Sequence, residues 1–442
     1  MNIRAQLIEP PEVRSQPTLR APRRISDLGL GEDFLIGLLM KTMYRTGVER
    51  ASNVSHEMKI PASVTAELTN IAERMDLLET VLELGAAIGV ETRYALTDKG
   101  CDLALEALGQ CDYYGPVPVT LAEFSQQIRK QSISNEMLTR SVLSKAFANL
   151  SLSRELMAKI GPAANSRATI LLYGPPGNGK SSIANAICQA FTGTVHFPYA
   201  MLVDKQVITV FDPTVHSPIT EQSNITEFAG TRGHMDVHDR RFVACRRPAM
   251  ITGGELSLDR LDLTLNTVNN IYDAPIQLKA AGGVLVIDDF GYQRQSAQDL
   301  MNRLIVPLES GSDYLALQTG RNFEIPFDAL TVFSTNIPPQ RLINDAALRR
   351  IRHKILIDKP DRDAYIKVFR QTAKTFELTV DKRTIEYILD ELYQKTDGAE
   401  LSRFHPWFLI DQVKSIAAFE GVRLQLRRDL LDRAWENLFI EQ

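Results

Sequence analysis

Four stretches of this chain carry side chains at spacings that chemistry uses. Gly174-Pro175-Pro176-Gly177-Asn178-Gly179-Lys180-Ser181-Ser182 matches G-x-x-x-x-G-K-[ST]. It stands between an apolar run, Thr169 to Tyr173, and a helical pattern from Ile183 to Cys188. Glycines let successive backbone N–H groups turn inward around a phosphate, and a helix N-terminus adds favourable partial charge. In that context Lys180 reaches β- and γ-phosphates, and the Ser181 hydroxyl sits on Mg²⁺. Downstream, Gly283-Val284-Leu285-Val286-Ile287-Asp288-Asp289 is an apolar strand ending in two carboxylates. Asp288 is the candidate metal ligand, and Asp289 the candidate for orienting an attacking water. Leu330 to Asn336 is a second strand, ending in an amide. Asp345 to Ile351 is a helix ending in Arg349 and Arg350. By itself an Asn after a strand is an ordinary turn residue, and cations suit any helix C-terminus. Their weight comes from standing behind the phosphate loop and the paired aspartates.

The elements that must position these groups belong to a chain of 442 residues, enough for two or three domains with cores of their own. The formal net charge of −4 gives no electrostatic argument for nucleic acid as main partner. The scattered Cys101, Cys111, Cys188 and Cys245 lack C-x-x-C spacing, which suits free thiols in a reducing compartment. The chain has neither an 18-residue apolar run nor a hydrophobic signal core at its N-terminus, so we expect a cytoplasmic protein without a membrane span.

In chain order, residues 1–27 form a Pro- and Arg-rich arm, either a solvated tail or a basic contact for nucleic acid or an acidic partner. Residues 28–116 read as short helices, around Phe34–Met40, Ala51–Ile60 and Pro61–Arg74. Strands follow at Leu77–Leu84 and Arg93–Leu96, and another helix starts at Thr97. Three helices and a two-stranded ribbon resemble a winged-helix domain. From Ala62 to Asp76 the third helix sets one arginine against Glu67, Glu73 and Asp76, a poor composition for reading DNA. Tyr113 to Pro118 breaks that domain, and a linker helix is expected over 117–150, from about Leu121. His216, His234 and His238 lie in an irregular segment near 194–247, which also holds a hairpin pattern (His196–Val203 with Gln206–Phe211). A helix would put His234 and His238 on one face as metal ligands. The Asp and Gly around them read as loop, and no cysteine stands at ligand spacing.

In their order and spacing, the phosphate loop, the paired aspartates, Asn336 and the arginine pair resemble the AAA+ superfamily, over about Leu150 to the C-terminus. The resemblance implies an α/β architecture: an αβα parallel-sheet core at 151–358 and a helical lid at 359–442. Helical patterns at Ala364–Thr375, Lys382–Tyr393, Pro406–Phe419 and Arg428–Phe439 suit such a lid. It further implies Mg²⁺-dependent ATP hydrolysis, with Asn336 helping to position water as sensor 1. Arg350, sooner than Arg349, would be the finger reaching a neighbouring subunit's γ-phosphate. Arg403 is the nearest candidate for sensor 2, and Trp407 stands where arginine is expected. Many relatives have glutamate at the position of Asp289, so slow hydrolysis is expected here. A hairpin pattern at Tyr314–Leu317 and Phe323–Pro326, and a helix 2 carrying an insertion near Leu258–Pro275, resemble MoxR-like chaperones. The expected activity is thus an ATP-driven homo-oligomeric ring, a hexamer, remodelling a protein client. Ile287-Asp288-Asp289-Phe290-Gly291 also resembles helicase loaders and transposition regulators, which leaves a DNA-associated ATPase as the alternative. A slow nucleotide-timed assembly scaffold is a third reading.

Overall fold

A computed structural model describes residues 19–81, 92–219, 238–396 and 398–438. Its centre is a five-stranded sheet whose inner strands are continuous apolar runs. In chain order these are β1 (Ile170–Tyr173), β2 (Ala249–Thr252), β3 (Gly283–Ile287), β4 (Ala329–Thr335) and β5 (His353–Leu356). They lie side by side in the order β5-β1-β4-β3-β2, every pair parallel. A parallel sheet covered on both faces needs continuous apolar strands, and Val284, Leu285, Val286 and Ile287 are all buried. One face packs on helix α1 (Lys180–Ala190), where Ile183 and Ile187 meet Val286 and Val332. The other meets Phe290, Leu300 and Leu304, which pack with Leu171, Leu285 and Phe333. This is the αβα layering expected from the sequence. Parallel strands end on one edge, so Gly174, Asp288 and Asn336 leave β1, β3 and β4 together.

C-terminal to the sheet, helices Arg362–Thr375, Lys382–Glu386, His405–Glu420 and Arg428–Glu436 form a separate core around Phe369, Leu409, Leu430 and Trp435. All four lid patterns begin helices, although Phe439 lies outside the described residues. The second helix widens into a π-turn over Tyr387–Leu392. In the N-terminal part, helices Glu32–Thr46, Ala51–Met58 and Ala62–Arg74 precede a ribbon of Leu78–Val81 with Arg93–Leu96. Helix Asp98–Gln110 follows, capped by the Thr97 hydroxyl on the Gly100 N–H. The remainder of the first expected strand, to Leu84, lies outside the described residues.

Three expectations are corrected. The linker from Leu121 to Leu150 is two helices, Leu121–Lys130 and Arg140–Ala146, with a break between them. Ser132 and Thr139 turn their hydroxyls onto backbone N–H groups there, in competition with helix. Gln131 bonds its amide to both the N–H and the carbonyl of His196. The hairpin near 194–211 starts at Ala200 rather than His196. Thr194–Pro198 pairs instead with Phe242–Arg246, and the Tyr199 N–H turns to the Arg241 carbonyl. Ala200–Val203 then pairs with Gln206–Thr209 across Asp204 and Lys205, both left-handed at φ 49° and 65°. That two-residue turn matches the strand twist. Finally, Leu258–Pro275 is no helix 2. One 3₁₀ turn, Leu258–Leu261, leads into an antiparallel pair, Thr264–Asn266 with Ile271–Asp273. Thr264, Ile271 and Tyr272 favour strand, and Asn270 supplies a turn residue at φ 52°. The two hairpins and Val119–Thr120 make a second five-stranded sheet. The hairpin expected ahead of β4 forms from Ser312–Ala316 and Asn322–Pro326.

Candidate functional site

At the C-terminal edge of the central sheet a cavity of about 600 Å³ opens between core and lid. Pro176, Gly177, Asn178, Gly179, Lys180, Ser181 and Ser182 line it, with Asp289, Asn336 and Arg403. The phosphate loop takes its shape from its glycines. Gly174, Gly177 and Gly179 have φ of 141°, 74° and 84°. A Cβ on Gly174 would come 2.3 Å from the Ile357 carbonyl oxygen, and one on Gly177 2.5 Å from Ser402 Oγ. Glycine is required at both by conformation and by room. Buried Asn178 ties the loop to itself, donating from Nδ2 to the carbonyls of Pro175 (3.3 Å) and Pro176 (3.4 Å).

Lys180 opens helix α1 and is buried, with Nζ donating to the carbonyls of Gly174 (3.0 Å) and Pro175 (2.9 Å). Burial lowers its pKa, with Asp289 and Asp288 acting in the opposite direction. Across the sheet, Asp288 Oδ1 accepts from the Ser334 hydroxyl and from the Asp289 N–H (3.1 Å). Asp289 is exposed and left-handed at φ 48°, a conformation that aspartate tolerates better than most residues. Gln293 holds that turn in place: its Nε2 donates to Gly253, Asp288 and Asp289 carbonyls, and its Oε1 accepts the Gly291 N–H. Thr335, just before Asn336, donates its hydroxyl to the Phe290 carbonyl and so joins the β4 end to the same turn.

From the lid, Ser402 Oγ donates to the Gly177 carbonyl (2.9 Å), and the Arg403 N–H to Asn178 Oδ1 (3.3 Å). The Arg403 guanidinium donates through Nη1 to the Ser151 carbonyl, its Nε is buried without a protein partner, and burial lowers its pKa. Arg349 and Arg350 end helix Asp345–Arg350 and line no part of this cavity. Arg350 is ion-paired with Glu309 at 2.6 Å, whereas Arg349 is exposed.

Ser334 and Gln293 escaped sequence reasoning. Ser334 had a signal, since it stands two residues before Asn336; Gln293 had none. Of the histidine group, His216 is taken up by the core. His216 is buried, accepts the Asp212 N–H at Nδ1 (2.9 Å) and therefore donates from Nε2 to the Lys279 carbonyl (2.8 Å). It stacks on Phe197 at 3.9 Å, a core residue with both nitrogens used. His238 lies against His196, and His234 is outside the described residues. No cluster of three His, Cys, Asp or Glu occurs among the described residues.

The donors present fit a magnesium nucleotide. A hydroxyl and a carboxylate, Ser181 and Asp288, are the hard oxygen ligands Mg²⁺ takes when phosphates supply more. The cradle, the lysine held by carbonyls and the unsatisfied Arg403 Nε suit a polyanion. Residues 170–228 match the model of the ATPase family associated with various cellular activities (AAA). That match, with the parallel sheet, supports the AAA+ superfamily. Residues 361–437, the lid helices, match a domain of unknown function, DUF8689. No curated protein matches the chain. Similar solved structures include a mutant form of RuvB from Thermotoga maritima, at 13% identity and TM-score 0.37, covering 66% of this chain and 71% of that one. Another is domain III of the Thermotoga maritima replication initiation protein DnaA, at 11% identity and TM-score 0.37, covering 67% and 98%. Among the described residues, no helix is long and apolar enough to cross a membrane.

Proposed function

We propose that this chain is a Mg²⁺-dependent ATPase that works as a ring, a hexamer of identical subunits, and remodels or assembles a protein client in the cytoplasm. The observation that carries the reading is the meeting of Lys180, Asp289 and Asn336 in one cavity, with Asp288 and Ser334 hydrogen-bonded beside them. Lys180 binds the β- and γ-phosphates, and Ser181 and Asp288 hold the ion. Bound Mg²⁺ neutralises phosphate charge. Asp289 orients the attacking water, helped by Asn336. Arg349 and Arg350 lie outside their own chain's cavity and so serve a neighbour's. Because Arg350 is occupied by Glu309, we assign the finger to Arg349.

The hairpin at Ser312–Pro326 supports the remodelling branch. The N-terminal helices support a protein client over DNA. On helix Ala62–Arg74, Glu67 accepts the Ile25 N–H (2.9 Å) and Glu73 accepts the Thr80 hydroxyl. The helix's arginine, Arg74, donates to the Asn70 carbonyl of the same helix (3.3 Å). The helix's exposed face, Ala62, Ser63, Ala66, Glu67, Asn70 and Arg74, sets one carboxylate against one arginine and is partly covered by the segment before it. The test is phosphate release from purified protein. The reading requires Mg²⁺-dependent turnover that Asp289→Asn abolishes while ATP binding persists. An unchanged rate in that variant sinks it, and DNA affinity falling steeply with salt would restore the nucleic-acid reading.

A further inference from the structure

The ATPase assignment leaves the lid end of the cavity without a role. Two large aromatic side chains, Phe404 and Trp407, line it while remaining 44% and 50% exposed. Their ring centroids are 6.1 Å apart, and Phe404 also packs on Phe408 at 5.6 Å. A Cβ on Gly177 would lie 3.3 Å from the Phe404 Cβ, so this aromatic wall continues directly from the phosphate loop. Leu150, Leu152 and Val368 line the cavity with it. The polar end, with Lys180, Ser181, Asp289 and Asn336, takes the triphosphate. Arg403 donates Nη1 to the Ser151 carbonyl and its backbone N–H to Asn178 Oδ1, and its Nε, buried without a protein partner, stays with the polar end.

We infer that the lid senses the nucleotide through its base, with the indole of Trp407 stacked on the ring. This rests on the ATPase reading of the same cavity. Base–aromatic stacking is tolerant of base identity, because every base has a π-face. The site therefore separates nucleotides from inorganic triphosphate. The stacking contact itself is the same for ATP and ADP, since both carry the base.

The second tryptophan, Trp435, is buried in the lid core, so fluorescence of Trp407→Phe gives the background. Subtracting it, the Trp407 emission should change on adding Mg²⁺ with ATP or ADP and stay fixed with inorganic triphosphate. By calorimetry Trp407→Ala should bind ATP about tenfold more weakly, at the scale of one stacked base. Its affinity for inorganic triphosphate should be unchanged, and Trp407→Phe should recover most of the ATP affinity. Three results overturn the inference while leaving the ATPase intact. They are wild-type ATP affinity in Trp407→Ala, equal loss of ATP and triphosphate binding, and loss of oligomer alone, which would make the aromatic pair a subunit contact. A wild-type protein that binds no nucleotide at all refutes the ATPase reading first, and this one with it.

Discussion

Replacing Lys180 by methionine should leave the fold standing and remove nucleotide binding. The ammonium is buried, and its folded pKa lies below the ordinary lysine value because of burial. A lysine with a depressed folded pKa holds its proton less tightly in the folded state, so its charge costs stability at every pH below that pKa, neutral pH included. Stability therefore rises with pH only in the alkaline window between the folded and unfolded values. Methionine relieves this cost and gives up two charge-assisted bonds to Gly174 and Pro175. The two effects oppose each other, hydrogen bonds to a charged group contributing about 1.5–3 kcal/mol each, and the unfolding midpoint in a core of this size moves by about 2–4 °C for each kcal/mol left over. Binding responds on another scale. A unit charge about 4 Å from a phosphate oxygen, at an effective dielectric of about 20, is worth about 4 kcal/mol, or about a thousandfold in Kd. At a MgATP concentration a hundred times the wild-type Kd, the wild type gains about 2.7 kcal/mol, and a Kd a thousandfold weaker leaves under about 0.1. Thermal unfolding with and without MgATP reads both numbers: a rise of about 5–10 °C for the wild type, and none resolved for the variant. A Lys180→Met protein that MgATP stabilises as fully as the wild type would refute the assignment of the phosphate site.

Arg349→Ala should lower turnover by about a thousandfold or more at unchanged ATP affinity. Arg350→Ala, which only frees Glu309, should cost far less, and the ratio of the two rates checks the choice of finger. The His405 imidazole, half-buried at the start of a lid helix beside the Tyr393 hydroxyl (2.6 Å), has its pKa lowered by desolvation to about 4, against 6.5 unfolded. The unfolded chain thus binds the extra proton between those values, and stability is lost as pH falls from 6.5 to 4. Denaturant midpoints measured across that window should slope less in His405→Gln. Asp289→Glu extends the carboxylate at φ 48°, where longer side chains are less at ease. Its hydrolysis rate should not exceed that of the wild type.

The site was legible wherever one short segment carries its own geometry. The phosphate loop needs only glycine at Gly174 and Gly177 and a helix beginning at Lys180, all adjacent in sequence. Asp288 was legible because apolar runs this continuous form inner parallel strands, whose ends share an edge. What needed neighbours was illegible. The Ser334–Asp288 bond depends on β3 and β4 being adjacent, and Gln293 acts on three carbonyls that only folding brings together. The pairing of Arg350 with Glu309 was equally out of reach, since Glu309 comes from a different helix. The inserted strands were misread in extent because periodicity says which residues are strand-like and not which strand they join. Pro198 and Tyr199 divide one apolar run between two sheets.

Those insertions bear on where nucleotide-driven motion can occur. Ala200 and Val207 of the inserted hairpin are buried in the same core as Leu39 and Met58 of the N-terminal helices. Arg240 donates to Ser55 and to the Ile60 carbonyl (2.9 Å each), the Asp112 N–H to the Asn269 carbonyl (2.9 Å), and Asn270 to Gln110. The N-terminal helices are thus joined to the inserted sheet by shared apolar burial as well as hydrogen bonds. The boundary between lid and core is different in kind. Around the cavity it is bridged by polar contacts, Ser402 to Gly177, Arg403 to Asn178 and Ser151, and Gln371 to Ser151 and Ala148. Exposed polar bonds exchange with water at small net cost, whereas separating a shared apolar core loses about 25 cal/mol for each Å² re-exposed. The joint that opens at least cost is therefore the one that holds the nucleotide, and the N-terminal helices move with the sheet.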